Sequence, residues 1–241
     1  MSDRLATGRF DDRTVMITGA SGNLGRAVAQ AFAHCGAQLV LLDRTKPQPG
    51  EMPGEAQDRH LHLSADLLDA EAVRRATHDA LQRFGRIDVL CNLAGGFAMG
   101  QPVHETGDAY FDALFGINVR TMLNGVRAVV PAMIGAGQGR IVNVAALSAQ
   151  RGAALMGSYC ASKDAVIRLT ESMAAELRDR HINVNCVLPS IIDTPENRAA
   201  MPGADATRWV GADALADVIV FLASDAARAL HGAAIPVAGR A

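Results

Sequence analysis

Tyr159 and Lys163 stand four residues apart in the stretch "SYCASK", a spacing that sets two side chains on one face of a helix. A phenol and an ammonium so placed can run acid–base chemistry on a carbonyl, provided something polar sits on the far side of the substrate oxygen. Upstream of the pair the chain reads Ala145-Ala146, and the first hydroxyl in that stretch is Ser148.

The elements that must position this pair follow from periodicity. "TVMITG" (14–19) is an apolar run ending in a glycine turn. After it Leu24, Val28, Ala31 and Phe32 recur at helical spacing, with Gly36 as the stop. Further strand-like runs are "AQLVLLD", "RHLHLSAD", "IDVLCNLAG", "GRIVNVAA", "INVNCVLPS" and "AAIPVAG". Between them lie helical stretches, one from its cap Asp69 to Gly85, a long one over 105–137, and others over 159–180 and 212–230. The Pro- and Gly-rich stretch 44–55 reads as a surface loop. Strands without polar alternation, separated by helices, imply a parallel sheet covered on both faces. No repeat or linker divides the chain. The expectation is a single doubly wound α/β (Rossmann) domain over residues 1–241, with about seven strands, helices on both faces and a substrate loop at 193–210.

Composition narrows the function classes. Hydrophobic residues make up 49% and charged residues 20%, a globular profile, and the formal net charge of −2 gives no reason to expect nucleic acid or an anionic membrane as partner. No apolar run reaches bilayer-spanning length. The N-terminal segment "MSDRLATGRFDDR" has no apolar signal region, so a cytoplasmic location is expected. Cys35, Cys91, Cys160 and Cys186 are scattered without metal-ligand spacing and read as buried thiols, Cys160 included; no metal is expected.

"TGASGNLG" (18–25) lies where the first strand feeds the first helix. Gly19, Gly22 and Gly25 let the backbone turn tightly and approach a pyrophosphate resting on the helix N-terminus. A glycine triplet alone could be only a tight strand–helix turn. A second feature agrees with it: Asp43 closes "LVLLD" 18 residues beyond Gly25, where a carboxylate can accept hydrogen bonds from the adenosine ribose. That carboxylate repels a 2′-phosphate, so NAD(H) is favoured over NADP(H), although the adjacent Arg44 partly offsets it.

Together these residues resemble the short-chain dehydrogenase/reductase family over essentially the whole chain. The ordered matches are the glycine turn, Asp43, Asp66, "NLAG" (92–95), Asn118 in "GINV", "GRIVNV", Tyr159-x-x-x-Lys163 and "VLPSIIDT" (187–194). The resemblance implies a cofactor site built from the turn residues Gly19, Ser21, Gly22, Asn23, Leu24 and Gly25, with Asp43 and Arg44 beyond them. Asp66 and Leu67 would flank the adenine, and Asn92, Ala94 and Gly95 would line the floor. Pro189, Ile192 and Thr194 would lie at the nicotinamide end. Tyr159 would be the general acid–base, and Lys163 would bond the nicotinamide ribose and lower the Tyr159 pKa. Asn118 would fix a water in a proton relay to Lys163. The resemblance also implies a dimer or tetramer, through the helix 159–177 and the C-terminal strand.

Three departures matter. Asn23 stands where the family's middle glycine falls, Pro189-Ser190 replaces the usual Pro-Gly, and the family's serine, thirteen residues before the tyrosine, is here Ala146. Either Ser148 substitutes for it, or the substrate needs no such donor, or the protein binds dinucleotide without catalysis. The tail "DTPENRAAMPGADATRW" (193–209), "AGGF" (94–97) and the alanine resemble the dihydropteridine reductase branch, whose substrate is a conjugated imine reduced with NADH. The expected activity is therefore reduction of a small carbonyl or pterin-like imine; a 3-oxoacyl or ketone reductase using Ser148, or a non-catalytic NAD(H)-binding regulator, are the alternatives. Phe97, Met99, Gln150, Met156 and Trp209 are the candidate substrate contacts, each of which could equally be packing; Trp209 is the candidate for stacking on a flat ring.

Overall fold

The computed structural model describes residues 10–45 and 59–240; most of the turn-rich stretch and the N-terminal segment lie outside the described residues. A seven-stranded parallel sheet runs through the molecule in the order β3-β2-β1-β4-β5-β6-β9. Its strands are β1 (Thr14–Thr18), β2 (Gln38–Asp43), β3 (His60–Ser64), β4 (Val89–Asn92), β5 (Gly139–Val144), β6 (Ile182–Pro189) and β9 (Ala234–Val237). β1 to β6 and β9 pair only in parallel. The connections are helical: α1 (Asn23–His34), α2 (Ala70–Phe84), α3 (Asp108–Phe115), α4 (Thr121–Ala136), α5 (Gly157–Leu177) and α7 (Ala212–Ala223).

The two-residue period of the strands sorts the core into two layers. Val15, Ile17, Leu39 and Leu41 point to one face, against Val28 and Phe32 of α1 and Leu215 and Ile219 of α7. Met16, Val40 and Leu90 point to the other, against Ala80 of α2, Val129 and Met133 of α4, and Val166 of α5. This is the doubly wound α/β domain expected from the sequence.

Local signals set the boundaries. The Asp69 carboxylate accepts from the Glu71 and Ala72 amides at 2.9 and 3.2 Å, capping α2, and Gly85 ends that helix in the left-handed region at φ 76°. The long helical stretch is interrupted once. Between α3 and α4 the residues Gly116–Arg120 form a π turn, an insertion of the kind that recurs at functional sites.

The segment 193–210 is more structured than a loop. β7 (Ile192–Asp193) pairs in parallel with β8 (Val210–Gly211), enclosing the short helix α6 (Pro195–Ala200). Asp193 and Arg198 form a two-pronged ion pair at 2.6 and 2.7 Å across it.

Candidate active site

The strand order reverses direction between β1 and β4, and the C-terminal ends of the strands on either side of that point open into a cleft of about 380 Å³. From the glycine turn it is lined by Gly19, Gly22, Asn23, Leu24 and Gly25; Asp43, Arg44, Asp66 and Leu67 close one end, and Ala94, Gly95, Ile192 and Thr194 the other. Leu68, Leu93, Ile117 and Thr121 also line it; Leu93 and Ile117 fall inside "NLAG" and "GINV", whereas Leu68 and Thr121 belong to no motif, and the folding of their loops and the π turn brings them there.

The turn fits a dinucleotide on its own geometry. A Cβ at Gly25 would lie 2.2 Å from the Gly19 carbonyl oxygen, so only glycine lets the first turn of α1 close over the end of β1. The Asp43 carboxylate accepts from the Ser21 amide at 2.9 Å and the Arg44 amide at 2.7 Å. One bond to each oxygen fixes the carboxylate and leaves acceptor capacity at the cleft. Ser21 thus contributes through its backbone. Asn23, in place of a glycine, donates from Nδ2 to Glu196 of α6 at 2.7 Å, tying the glycine turn to the segment beyond β7.

At the other end of the cleft three side chains converge. A Cβ added to Gly95 would lie 2.9 Å from Asn118 Oδ1 and 3.0 Å from Lys163 Nζ. The π turn holds Asn118 so that its Oδ1 accepts from the Gly96 amide at 2.9 Å, while its Nδ2 donates to Gly96 O and to Ser162 Oγ. Ser162 Oγ in turn donates to the Tyr159 carbonyl at 2.8 Å. The Lys163 ammonium is buried and donates to the Val144 carbonyl at 3.0 Å. Tyr159 meets Phe97 edge to face, with ring centroids 4.9 Å apart.

The electrostatics differ from the expectation in one respect. Burial, reinforced by Cys160, pushes the Tyr159 phenol up to about 12, and burial holds Lys163 down to about 8. Desolvation therefore sets the direction at the phenol, while the Lys163 ammonium donates to the Val144 carbonyl.

Other residues fall elsewhere. Asn92 is buried and donates to Asn143 Oδ1 at 2.9 Å, which donates on to Thr170, so its side chain bridges β4 to β5 beneath α4 and α5 instead of lining the floor. Pro189 is buried at the end of β6, outside the cleft lining. Thr194 lines the cleft while its hydroxyl accepts from the Asn197 amide at 3.2 Å, capping α6. Ala146 is buried, and Ser148 is half-buried on a single helical turn, 147–150, that packs on α5. Gln150 is exposed and Met156 half-buried. Trp209 is buried in a segment pinned to the C-terminus, where the Arg240 amide donates to Arg208 O at 2.9 Å. Trp209 is not among the residues that line this cleft.

A cleft at the switch point of a parallel sheet, with a glycine turn at one end and a half-buried Tyr159 with the buried Lys163 and Asn118 at the other, defines a nucleotide-dependent oxidoreductase class. The chain belongs to the short-chain dehydrogenase family, whose model matches residues 13–204. It is 37% identical over 186 residues to a sorbitol dehydrogenase of Cereibacter sphaeroides, covering 77% of this chain and 72% of that one. Among solved structures it is similar to levodione reductase, with a TM-score of 0.89 and 32% identity over 96% of this chain and 98% of that one. It is also similar to a 3-ketoacyl-(acyl-carrier-protein) reductase of Brucella melitensis complexed with NADH, with a TM-score of 0.85 and 30% identity over 96% and 99%. These relatives establish the family and the oxidoreductase class. They do not extend to the pterin-reducing branch that the tail resembles.

Proposed function

We propose that the protein transfers hydride between NAD(H) and a small carbonyl compound, with Tyr159 exchanging the proton at the substrate oxygen. The observation that carries this reading is the convergence of Asn118 Oδ1 and Lys163 Nζ on Gly95 at the mouth of the glycine-lined cleft. The glycine turn would hold the pyrophosphate, Asp43 the adenosine ribose, and Ile192 and Thr194 the nicotinamide end. The bound nicotinamide supplies or accepts the hydride. The protein's own part is protonic. Lys163 and Asn118 would return the Tyr159 proton through a water-linked relay. Asp43 disfavours a 2′-phosphate, which supports NAD(H), with Arg44 leaving NADP(H) usable.

The missing donor at Ala146 leaves two substrate readings. A conjugated, pterin-like imine needs no hydroxyl there. A ketone or 3-oxoacyl substrate would use Ser148, carried on the turn against α5, and a 3-ketoacyl reductase among the similar structures favours this one. Assembly as a dimer or tetramer in the cytoplasm belongs to the same reading. A dinucleotide-binding regulator without turnover is the remaining alternative; it has no use for the Tyr159, Lys163 and Asn118 cluster.

The test is NADH oxidation followed at about 340 nm, the reduced nicotinamide band, with ketones and a quinonoid dihydropterin run side by side. Tyr159→Phe is expected to lower kcat by at least about a hundredfold, the usual worth of a positioned acid–base, with NADH affinity retained. Wild-type activity in that variant would remove Tyr159 from the chemistry, and NADH binding without turnover on any substrate would establish the regulator instead.

A further inference from the structure

Beside Tyr159 the surface is apolar where a soluble protein has reason to be polar. Phe97 is 60% exposed, Met99 51%, Val103 75% and Leu155 44%. They come from two loops that the fold stitches together at the head of α5. The Gly100 amide donates to the Leu155 carbonyl at 2.8 Å. Val103 packs on the backbone at Gly157, where a Cβ would lie 2.6 Å from Val103 Cγ2. Phe97 sets its ring against Tyr159 itself. Segment 152–157, "GAALMG", carries no polar side chain, and segment 97–103, "FAMGQPV", carries only Gln101. Gln150 and Arg151, both exposed, stand at the edge.

Leu155 has a second peculiarity. Its φ is +62°, a left-handed conformation that a leucine occupies only when its surroundings over-determine it, and such strain gathers at ligand-binding positions. Glycine or asparagine would satisfy the turn without strain. The chain instead presents an exposed apolar side chain four residues before Tyr159.

We propose that Phe97, Met99, Val103 and Leu155 form the substrate mouth and select a carbonyl compound with an apolar body, an alkyl or alicyclic ketone, over a polyhydroxylated one. The inference rests on the proposed role of Tyr159: a carbonyl oxygen that meets the Tyr159 hydroxyl must lie alongside Phe97, and its substituents must cross the rim these side chains make. A polyol or ketose would bring hydroxyl groups to a wall whose two segments offer only Gln101, with Gln150 and Arg151 at its edge, leaving most of them desolvated without partners. An apolar body gains from the same wall, by about fourfold in affinity for each methylene removed from water. Phe97 and Leu155 are then specificity-determining residues; neither handles the proton.

The experiment compares kcat/KM with NADH for a homologous series of alkan-2-ones and for polyhydroxylated ketones of matched length, in the wild type, Phe97→Ala and Leu155→Gly. The expected result is a rise of about fourfold per methylene along the alkanone series. Phe97→Ala should cut the preference for the longer alkanone about tenfold, chiefly through KM. Leu155→Gly, which relieves the left-handed backbone, should flatten the chain-length dependence while thermal stability holds or improves. A preference for the polyhydroxylated ketone overturns the apolar mouth and leaves the reductase reading standing. No NADH oxidation with either class removes both. Unchanged kinetics in the variants, with a changed mass by light scattering, overturns the proposal in favour of a second copy of the chain on this patch.

Discussion

The two edges of the parallel sheet are built from the same strands and treat charge in opposite ways. At the C-terminal edge the cleft is walled by glycine backbone and apolar side chains, and its few charged groups keep bonding capacity: Asp43 is steadied by two amides, and Lys163 by one carbonyl. At the N-terminal edge a cavity of about 250 Å³ is lined by Asp12, Arg13, Arg86, Asp88, Arg140 and Asp225. There Arg13, Arg86 and Arg140 pair with Asp88 and Asp225. Arg13 pairs with Asp225 at 2.5 Å, and Arg140 with the same carboxylate at 3.6 Å. Arg86 clasps Asp88, whose other bond is from the Thr14 amide at 2.9 Å. The contrast separates a site from a staple: chemistry needs groups held in place yet incompletely satisfied, whereas a staple joins chain segments through pairs of opposite charge.

That contrast can be broken from either edge. The largest effect should come from Gly25→Ala. Its Cβ would meet the Gly19 carbonyl oxygen at 2.2 Å, which the turn can relieve only by moving backbone, at about 1–3 kcal/mol. NADH affinity, read by fluorescence titration, should be lost along with activity; unaltered binding would mean that the turn does not seat the dinucleotide. Next is Asp88→Ala at the opposite edge. It removes a buried acceptor from Thr14 N and Arg86, and should cost about 1–3 kcal/mol in chemical unfolding while kcat and KM stay within about twofold. A selective loss of activity would make the N-terminal edge more than structural.

The smallest and most gradual effect is that of pH. In the proposed reaction Tyr159 must be protonated for carbonyl reduction, and with the phenol pushed up to about 12 this holds throughout the neutral range. Lys163, held down to about 8, loses its charge first, so kcat/KM for reduction should be flat up to pH about 8 and fall above it. Stability has the opposite slope there. The folded Lys163 releases its proton near 8 and the unfolded one near 10.5, so between those values the unfolded state binds more protons and stability rises with pH. Thermal unfolding of wild type against Lys163→Met across that window reads the difference directly; parallel curves would mean that Lys163 is not desolvated.

Much of this was legible in the chain. Asp69 and Gly85 bracket α2 as their types require, because capping is local chemistry between neighbours. A parallel sheet covered on both faces could be expected because the strands lack polar alternation. The glycine turn and Asp43 were recoverable for the same reason: a turn whose backbone must pass within contact distance admits one residue type. Asn92 and Trp209 show the limit. Each stands in a recognisable stretch, yet one turns its amide to Asn143 and the other is buried in a segment pinned to the C-terminus. Nothing local dictates which side of a strand end or loop a side chain leaves from.

By itself the sequence determined the parallel sheet, its helical layers, the place of the cleft and the Tyr159–Lys163 pair, since all of these follow from periodicity, turn stereochemistry and spacing along one helix. Tertiary structure decided what surrounds them. It brought Asn118 to Lys163 across a π turn, set Phe97 against Tyr159, and left Ser148 on a neighbouring turn. It also buried the phenol deeply enough to reverse the expected direction of its pKa. Those outcomes depend on which loops meet and how much water they exclude, and contacts between residues distant in the chain are fixed only when the sheet is assembled.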